Sequence, residues 1–303
     1  MPLMNMERVK TLVIVFLLLL NVVLFALNWQ QTLRYQLTSE QETAITTLLL
    51  RNHIRLEQGV SMRKNFAPMP QIELAPFHCD ILHLTRALFD SSEILAPLSI
   101  EDDGKIRTKV QSGQKSLVVT GSGFAFDNPP GFGGSKEPVI VSEATALCAG
   151  VLERLYGQSS EYRDLRLVLD YVSPVREEGY CWVEYRSDYR DYTVYSSYMR
   201  FKVGPGGIEQ IRASLYLPQR FAEGEREIYS TDEALYALLQ EIRNIYGGKG
   251  EEILIRRMDM VYYVVDAPED ETAIKADPYY RMYLSNRPEQ PVLINAYTNT
   301  VAR

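Results

Sequence analysis

Between Thr11 and Leu27 the chain carries no charged side chain, and this apolar run constrains its folding more than any other feature. At 1.5 Å of rise per residue the run covers roughly 26 Å as a helix, slightly under the ~30 Å hydrocarbon core of a bilayer. Trp29 then falls at interfacial depth, and Arg8 and Lys10 can snorkel at the opposite end. A cleaved signal peptide would want a shorter apolar region and a small-x-small cleavage site, which Ala26-Leu27-Asn28-Trp29 does not offer. No Cys follows the run closely, so the acylation residue of a lipoprotein is lacking. The expectation is a retained single-pass anchor over residues 11–29. The basic residues Arg8 and Lys10 place residues 1–10 on the cytoplasmic side and the rest outside the cytoplasm.

Two amides mark one side of this helix. Asn21 and Asn28 are seven residues apart and share a face with Ile14, Leu17, Leu18, Leu24 and Phe25. An amide in hydrocarbon is usually satisfied across a helix pair, so this face is expected to touch another membrane helix. The other reading is that Asn28 is interfacial and Asn21 merely tolerated.

The chain as a whole has 46% hydrophobic and 23% charged residues, and the part beyond the anchor is composed like a globular protein able to bury a core. The formal charge is −7 overall; Glu7, Arg8 and Lys10 together contribute +1, which leaves −8 beyond the anchor. That balance argues against nucleic acid as a partner and against docking on an anionic membrane surface. Cys79, Cys148 and Cys181 cannot make a disulfide framework. A Cys148–Cys181 bridge is one reading and buried free thiols are the better one.

The periodicities predict an α+β fold. A capping box from Ser39 to Glu42 opens a helix carrying Ile45, Leu48 and Leu49 and ending near Asn52, and a strand follows through Ile54 and Leu56. Beyond Pro68, Pro70 and Pro76 comes a second helix with Ile81, Leu84 and Leu88 on one side. Lys105 to Asp127 reads as two strands around Ser112-Gly113-Gln114. These elements make a first extracytoplasmic unit, 30–128, closed by a Pro/Gly-rich linker at 129–138. Glu143-Ala144 to Tyr156-Gly157 and Glu233-Ala234 to Tyr246-Gly247 then bracket two helices, each followed by strands only. In the first of these strand sets Leu165, Leu167, Leu169 and Tyr171 alternate with more polar neighbours. Residues 139–222 and 223–303 therefore read as a weak internal repeat of a helix on an antiparallel sheet, and 139–303 as one cooperative unit.

Catalytic chemistry finds little support. His78, Cys79 and His83 match no zinc spacing. Gly131-Phe132-Gly133-Gly134-Ser135-Lys136 lacks the order of a phosphate loop and reads as linker. Glu101-Asp102-Asp103 before Gly104 reads as a solvated turn rather than an acid/base pair. Neither a Ser-His-Asp nor a Cys-His set is implied. No cofactor or metal is expected. The twenty tyrosines are more informative, for they concentrate at Tyr171, Tyr180, Tyr185, Tyr189, Tyr192, Tyr195 and Tyr198. They are good strand formers, and Tyr185, Tyr189, Tyr192, Tyr195 and Tyr198 are also candidates for an aromatic contact surface.

Three stretches resemble a known family: Val9-Lys10-Thr11 leading into the apolar run to Asn21; Thr38-Ser39-Glu40-Gln41 through Asn52-His53-Ile54-Arg55-Leu56; and Tyr280-Arg281-Met282-Tyr283 followed by Val292-Leu293-Ile294-Asn295-Ala296-Tyr297-Thr298. In order and length the chain is similar to YycI of the YycH/YycI family, membrane-anchored regulators of the WalK (YycG) sensor histidine kinase of Gram-positive bacteria. The resemblance implies a non-enzymatic regulator that contacts a sensor histidine kinase and a YycH-like co-regulator through its membrane helix and its extracytoplasmic domain. A cell-envelope binding module for a polymer, lipid or peptide, or a PepSY-like protease-inhibitory domain, is the alternative. A deep pocket with converging acids would favour an enzyme, an open aromatic groove the binding module, and neither the regulator.

Overall fold

The computed structural model describes residues 6–60, 62, 67–89, 97–102, 105–129, 139–175, 179–246, 252–265 and 273–302. The first helix, α1 (Met6–Arg34), contains the apolar run, and its 10–27 segment is long and apolar enough to cross a membrane, with none of it buried against the other described residues. Helix α2 (Ser39–Arg51) begins after a four-residue connector and ends at Asn52 as the sequence predicts. Its capping box starts one residue earlier than expected. The Thr38 hydroxyl accepts the Gln41 N–H at 3.2 Å, and the Gln41 side chain accepts the Thr38 N–H at 2.9 Å. Thr38 and Gln41 have the spacing a reciprocal cap needs, so Ser39 becomes the first helical residue.

Next come β1 (Ile54–Leu56), β2 (Ile72–Pro76) and α3 (Ile81–Leu88), which is capped by the Asp80 carboxylate on the N–H groups of Leu82 and His83. Lys105 to Asp127 forms three strands rather than two: β4 (Lys105–Ser112), β5 (Lys115–Thr120) and β6 (Gly123–Asp127), preceded by β3 (Leu98–Asp102). The additional turn sits at Gly121, whose φ of 49° is costly for residues bearing a Cβ. Glu101 and Asp102 close β3, opposite Ile106 and Lys105, rather than forming a turn. The Gly131–Lys136 stretch and Asp103 lie outside the described residues.

Helix α4 (Val141–Gln158) is followed by a short α5 (Glu161–Asp164), so the expectation of strands alone after this helix fails there. The strands β7 (Leu167–Val175), β8 (Tyr180–Tyr189), β9 (Tyr192–Gly204), β10 (Gly207–Ser214) and β11 (Tyr216–Phe221) then lead to α6 (Thr231–Tyr246) and β12 (Ile253–Tyr263), β13 (Ile274–Leu284) and β14 (Arg287–Asn295). Among the described residues five strands follow α4 and three follow α6.

The strands join one mostly antiparallel sheet of fourteen. From β7 through β8, β9, β10, β6, β5 and β4 to β3, every neighbour is antiparallel. The start of β9 meets β12 in parallel through Thr193 with Val261 and Val194 with Tyr262, and the sheet continues through β13 and β2 to β11. The sheet is therefore continuous across residues 129–138, since β1, β2 and β6 all pair with strands that follow the linker.

Helices cover one face in two patches. Leu84 of α3 and Cys148, Val151 and Leu155 of α4 pack on Val183, Phe201 and Ile211. Ile45 and Leu49 of α2 and Leu235, Leu238 and Leu239 of α6 pack on Ile255, Tyr262 and Met282. The inward residues of β8, β9 and β10 alternate with polar and aromatic ones facing the other way, as an antiparallel sheet covered on one side requires.

Candidate binding groove on the open sheet face

On the uncovered face, Trp182, Glu184 and Arg186 of β8 stand opposite Lys202, Arg200 and Tyr198 of β9, and β10 adds Gln210, Arg212 and Ser214 beside them. With Tyr195, Tyr216, Tyr263 and Leu293 these residues, Lys202 excepted, line an open groove of about 890 Å³. Its floor contains cation–ring stacks: the Arg200 guanidinium lies 4.3 Å from the Trp182 ring centre, and Arg186 lies 3.5 Å from that of Tyr195. Such contacts hold long arginine side chains in place over the sheet.

Two irregularities in strand pairing shape the site. Asp170 is the extra residue of a bulge in β7, between the pairs Leu169–Tyr185 and Tyr171–Glu184. The bulge breaks the expected alternation at Tyr171, which falls opposite Glu184 instead of on the face of Leu169; Leu169 is exposed and the Asp170 carboxylate is buried. On β9, Tyr195, Ser196 and Ser197 have no β8 partner between the pairs Val194–Ser187 and Tyr198–Arg186. The buried hydroxyls of Ser187 and Ser197 bond each other at 3.0 Å; Ser187 also donates to the Leu165 carbonyl, and Ser197 bonds the backbone of Tyr216. Polar groups released by this bulge are thereby satisfied inside the fold.

Beneath the groove lies a buried ion network. Arg281 is wholly buried on β13, forks onto the Asp259 carboxylate at 2.8 and 2.7 Å, and reaches Asp170 at 2.9 Å. Arg257 bonds Asp170 at 3.0 Å and Asp259 at 2.7 Å, and Arg186 stands 3.2 Å from Asp170. Arg186 also pairs with Glu184 and bonds the Tyr195 carbonyl; the second Glu184 oxygen lies 3.9 Å from Arg200. Burial pushes the Asp170 carboxyl up, but the Arg281 bonds and the charges of Arg281, Arg257 and Arg186 outweigh it and hold the group below the ordinary carboxylate range. A carboxylate held this firmly ionised accepts hydrogen bonds and is a poor proton donor.

The aromatic surface predicted from the sequence is divided by the strand geometry. Tyr185 points into the α4 side, where it is buried against Phe201. Tyr189 and Tyr192 pack beside Phe221 at the other core. Tyr195 and Tyr198 alone of the five line the groove. Along α1, Ile14, Leu17, Leu18, Leu24 and Phe25 are exposed, as is Asn21, and Asn28 lies in the same helix. Cys79, Cys148 and Cys181 are buried free thiols, and burial pushes Cys79 and Cys148 up to about 12. Among the described residues no group of three or more His, Cys, Asp or Glu is placed to hold a metal ion, and His78 and His83 flank the capping Asp80. The sequence patterns single out none of Asp170, Glu184, Arg186, Arg200, Arg257 and Asp259. The available signal is the outward alternation Trp182, Glu184, Arg186 set against Cys181, Val183, Tyr185.

No known family profile matches the chain, and no curated protein matches it. Among solved structures it is similar to an uncharacterized protein from Eubacterium rectale ATCC 33656, with a TM-score of 0.50 and 8% identity, over 82% of this chain and 89% of that one. The likeness is one of fold.

Proposed function

We propose that this chain is a non-enzymatic binding protein, anchored in the membrane by α1, whose working surface is the groove on the open sheet face. The observation that carries this reading is the groove itself: an open channel with Trp182, Tyr195 and Tyr198 among its aromatic side chains and arginines stacked within it. Rings of low conformational entropy and pre-oriented guanidinium groups are the side chains that dominate contact energetics. The adjoining acids Asp170, Asp259 and Glu184 are engaged in ion pairs, which suits positioning of the arginines better than proton transfer. The test is substitution in the groove. Trp182→Ala and Tyr198→Ala are expected to abolish co-purification of the binding partner with the anchored protein, whereas Glu153→Ala on the exposed side of α4 is not; equal recovery with all three would refute the reading.

A second reading is regulation of a sensor histidine kinase together with a YycH-like co-regulator, as the YycI resemblance implies. It is favoured by the connector at 35–38, which leaves four residues between α1 and α2 and buries Leu37 in the fold. A short tether fixed to the fold at Leu37 would couple a load on the domain to α1. On this reading the face of Ile14, Leu17, Leu18, Asn21, Leu24, Phe25 and Asn28 meets the kinase's membrane helices. Asn21→Leu should then lower a membrane two-hybrid signal with the kinase while protein level is unchanged, and Val15→Leu should not; equal signals would remove α1 from the mechanism.

A further inference from the structure

Beside the groove lies a second cavity of about 370 Å³, where the turn between β5 and β6 meets the end of β10 and the chain leaving β2. Ser214 and Tyr216 line both spaces, so cavity and groove adjoin there. Backbone bonds fix the cavity walls: the Leu215 N–H donates to the Ser122 carbonyl at 2.8 Å, and the Phe77 N–H donates to the Leu215 carbonyl at 3.0 Å. Gly123 lets the turn lie against β10, since a Cβ there would stand 2.7 Å from the Ala213 carbonyl oxygen. Walls held in this way lose little conformational freedom when a ligand enters.

The lining is uncharged but polar. Among the described residues around the cavity there is no Asp, Glu, Lys or Arg. Thr120, Ser122, Ser214 and Tyr216 are half-buried there, and none of their side-chain hydroxyls bonds another described residue. Phe77 and Ile274 supply apolar wall between them.

We propose that this cavity seats an uncharged sugar unit, the end of a glycan chain whose following units lie in the groove. An ionic group placed here would lose water without gaining a counter-charge. An apolar group would cover the four hydroxyls and leave them without partners. A sugar ring carries hydroxyls on its rim and C–H groups on its faces, which suits hydroxyls that both donate and accept set among aromatic and aliphatic side chains. An extended peptide would need a strand edge, whereas Gly123 with Ser214 and Pro76 with Tyr216 are already strand partners. Past the two shared residues, Trp182, Tyr198, Gln210 and Gln290 offer further rings and amides along the groove.

This inference rests on the groove being the working surface. It is tested by calorimetry on the full chain in phosphatidylcholine nanodiscs, titrated with chitotetraose, cellotetraose and maltotetraose, with acetylated tetra-alanine amide as the peptide comparison. At least one tetrasaccharide is expected to bind, with an affinity that changes little with salt because no ion pair forms. The Ser122→Ala, Ser214→Ala variant should bind it at least about tenfold more weakly with an unchanged melting temperature, whereas Thr43→Ala on α2 should bind it like the parent. Failure of all three tetrasaccharides, binding undiminished in the double variant, or equally tight binding of the peptide would overturn the proposal. If partner recovery still depends on Trp182 when the tetrasaccharides fail, the groove stands as the contact surface and only the glycan assignment falls.

Discussion

Arg281 Nη2 stands 2.9 Å from Asp170 Oδ1, joining β13 to the bulge of β7 across 111 residues of sequence. Asp259 completes the bonding of this buried guanidinium, and Arg257 and Arg186 also converge on Asp170. Burying a charge this completely is tolerated only when its partners are in place. Asp170→Ala removes the acceptor shared by three guanidinium groups and is expected to cost about 3–5 kcal/mol. Breaking the solvent-exposed Arg220–Glu73 pair by Arg220→Ala should leave the unfolding midpoint nearly unchanged. Urea unfolding of the two variants beside the parent measures both.

The same carboxyl predicts how stability responds to acid. Burial alone would raise its folded pKa, but Arg281, Arg257 and Arg186 overcome that effect and lower it, and Arg212 does the same for Asp127. The unfolded value is about 3.9, so the stabilisation is fully present above about pH 5 and is lost as pH falls through the folded value. Thermal melts should be flat from neutrality to about pH 5 and fall steeply below about pH 4. Asp170→Asn should be less stable at pH 7 and should flatten the acid limb.

The β8–β9 hairpin turns through Arg190 and Asp191, both with positive φ, at 49° and 69°, between the paired Tyr189 and Tyr192. This is the geometry that favours Asn-Gly, and residues bearing a Cβ are strained in it. Arg190→Asn with Asp191→Gly is expected to raise stability by about 0.5–1 kcal/mol. A lower melting temperature in the double variant would show that the Arg190 stack over Tyr189 and Phe221 outweighs the backbone cost.

That turn also explains part of what the sequence hides. Helices α2, α3, α4 and α6 are legible because their apolar residues recur at helical spacing, and α1 because it lacks charge. Tyr185 to Tyr198 reads as one aromatic run, since Arg190-Asp191 carries no glycine to announce a hairpin. Strand alternation sends Tyr185 inward, and only Tyr195 and Tyr198 reach the groove. Asp170 is hidden more deeply, because nothing local marks it as the unpaired residue of a bulge, after which the faces of β7 reverse at Tyr171. Its partners Arg257 and Arg281 lie on strands brought close by the parallel contact of β9 with β12. No local pattern encodes such a meeting.

Strand β2 lies between β11 and β13, and β6 covers the free edge of β10. Residues 139–303 expressed alone lose both, exposing apolar residues such as Ile211 and Ile274. This fragment is expected to melt without cooperativity and to aggregate, whereas 36–303 should melt sharply; a sharp calorimetric transition in the shorter fragment would contradict the continuity of the sheet.

The central claim is that an anchored chain works through the open sheet face. Its most direct test places a photo-crosslinking residue at Tyr198 or Gln210 in the groove, or at Glu153 on exposed α4, in the full chain within intact membranes. The account predicts the same discrete adduct from Tyr198 and Gln210, absent from Glu153 and suppressed by Trp182→Ala. Adducts of equal yield from all three positions, or from Glu153 alone, would contradict it.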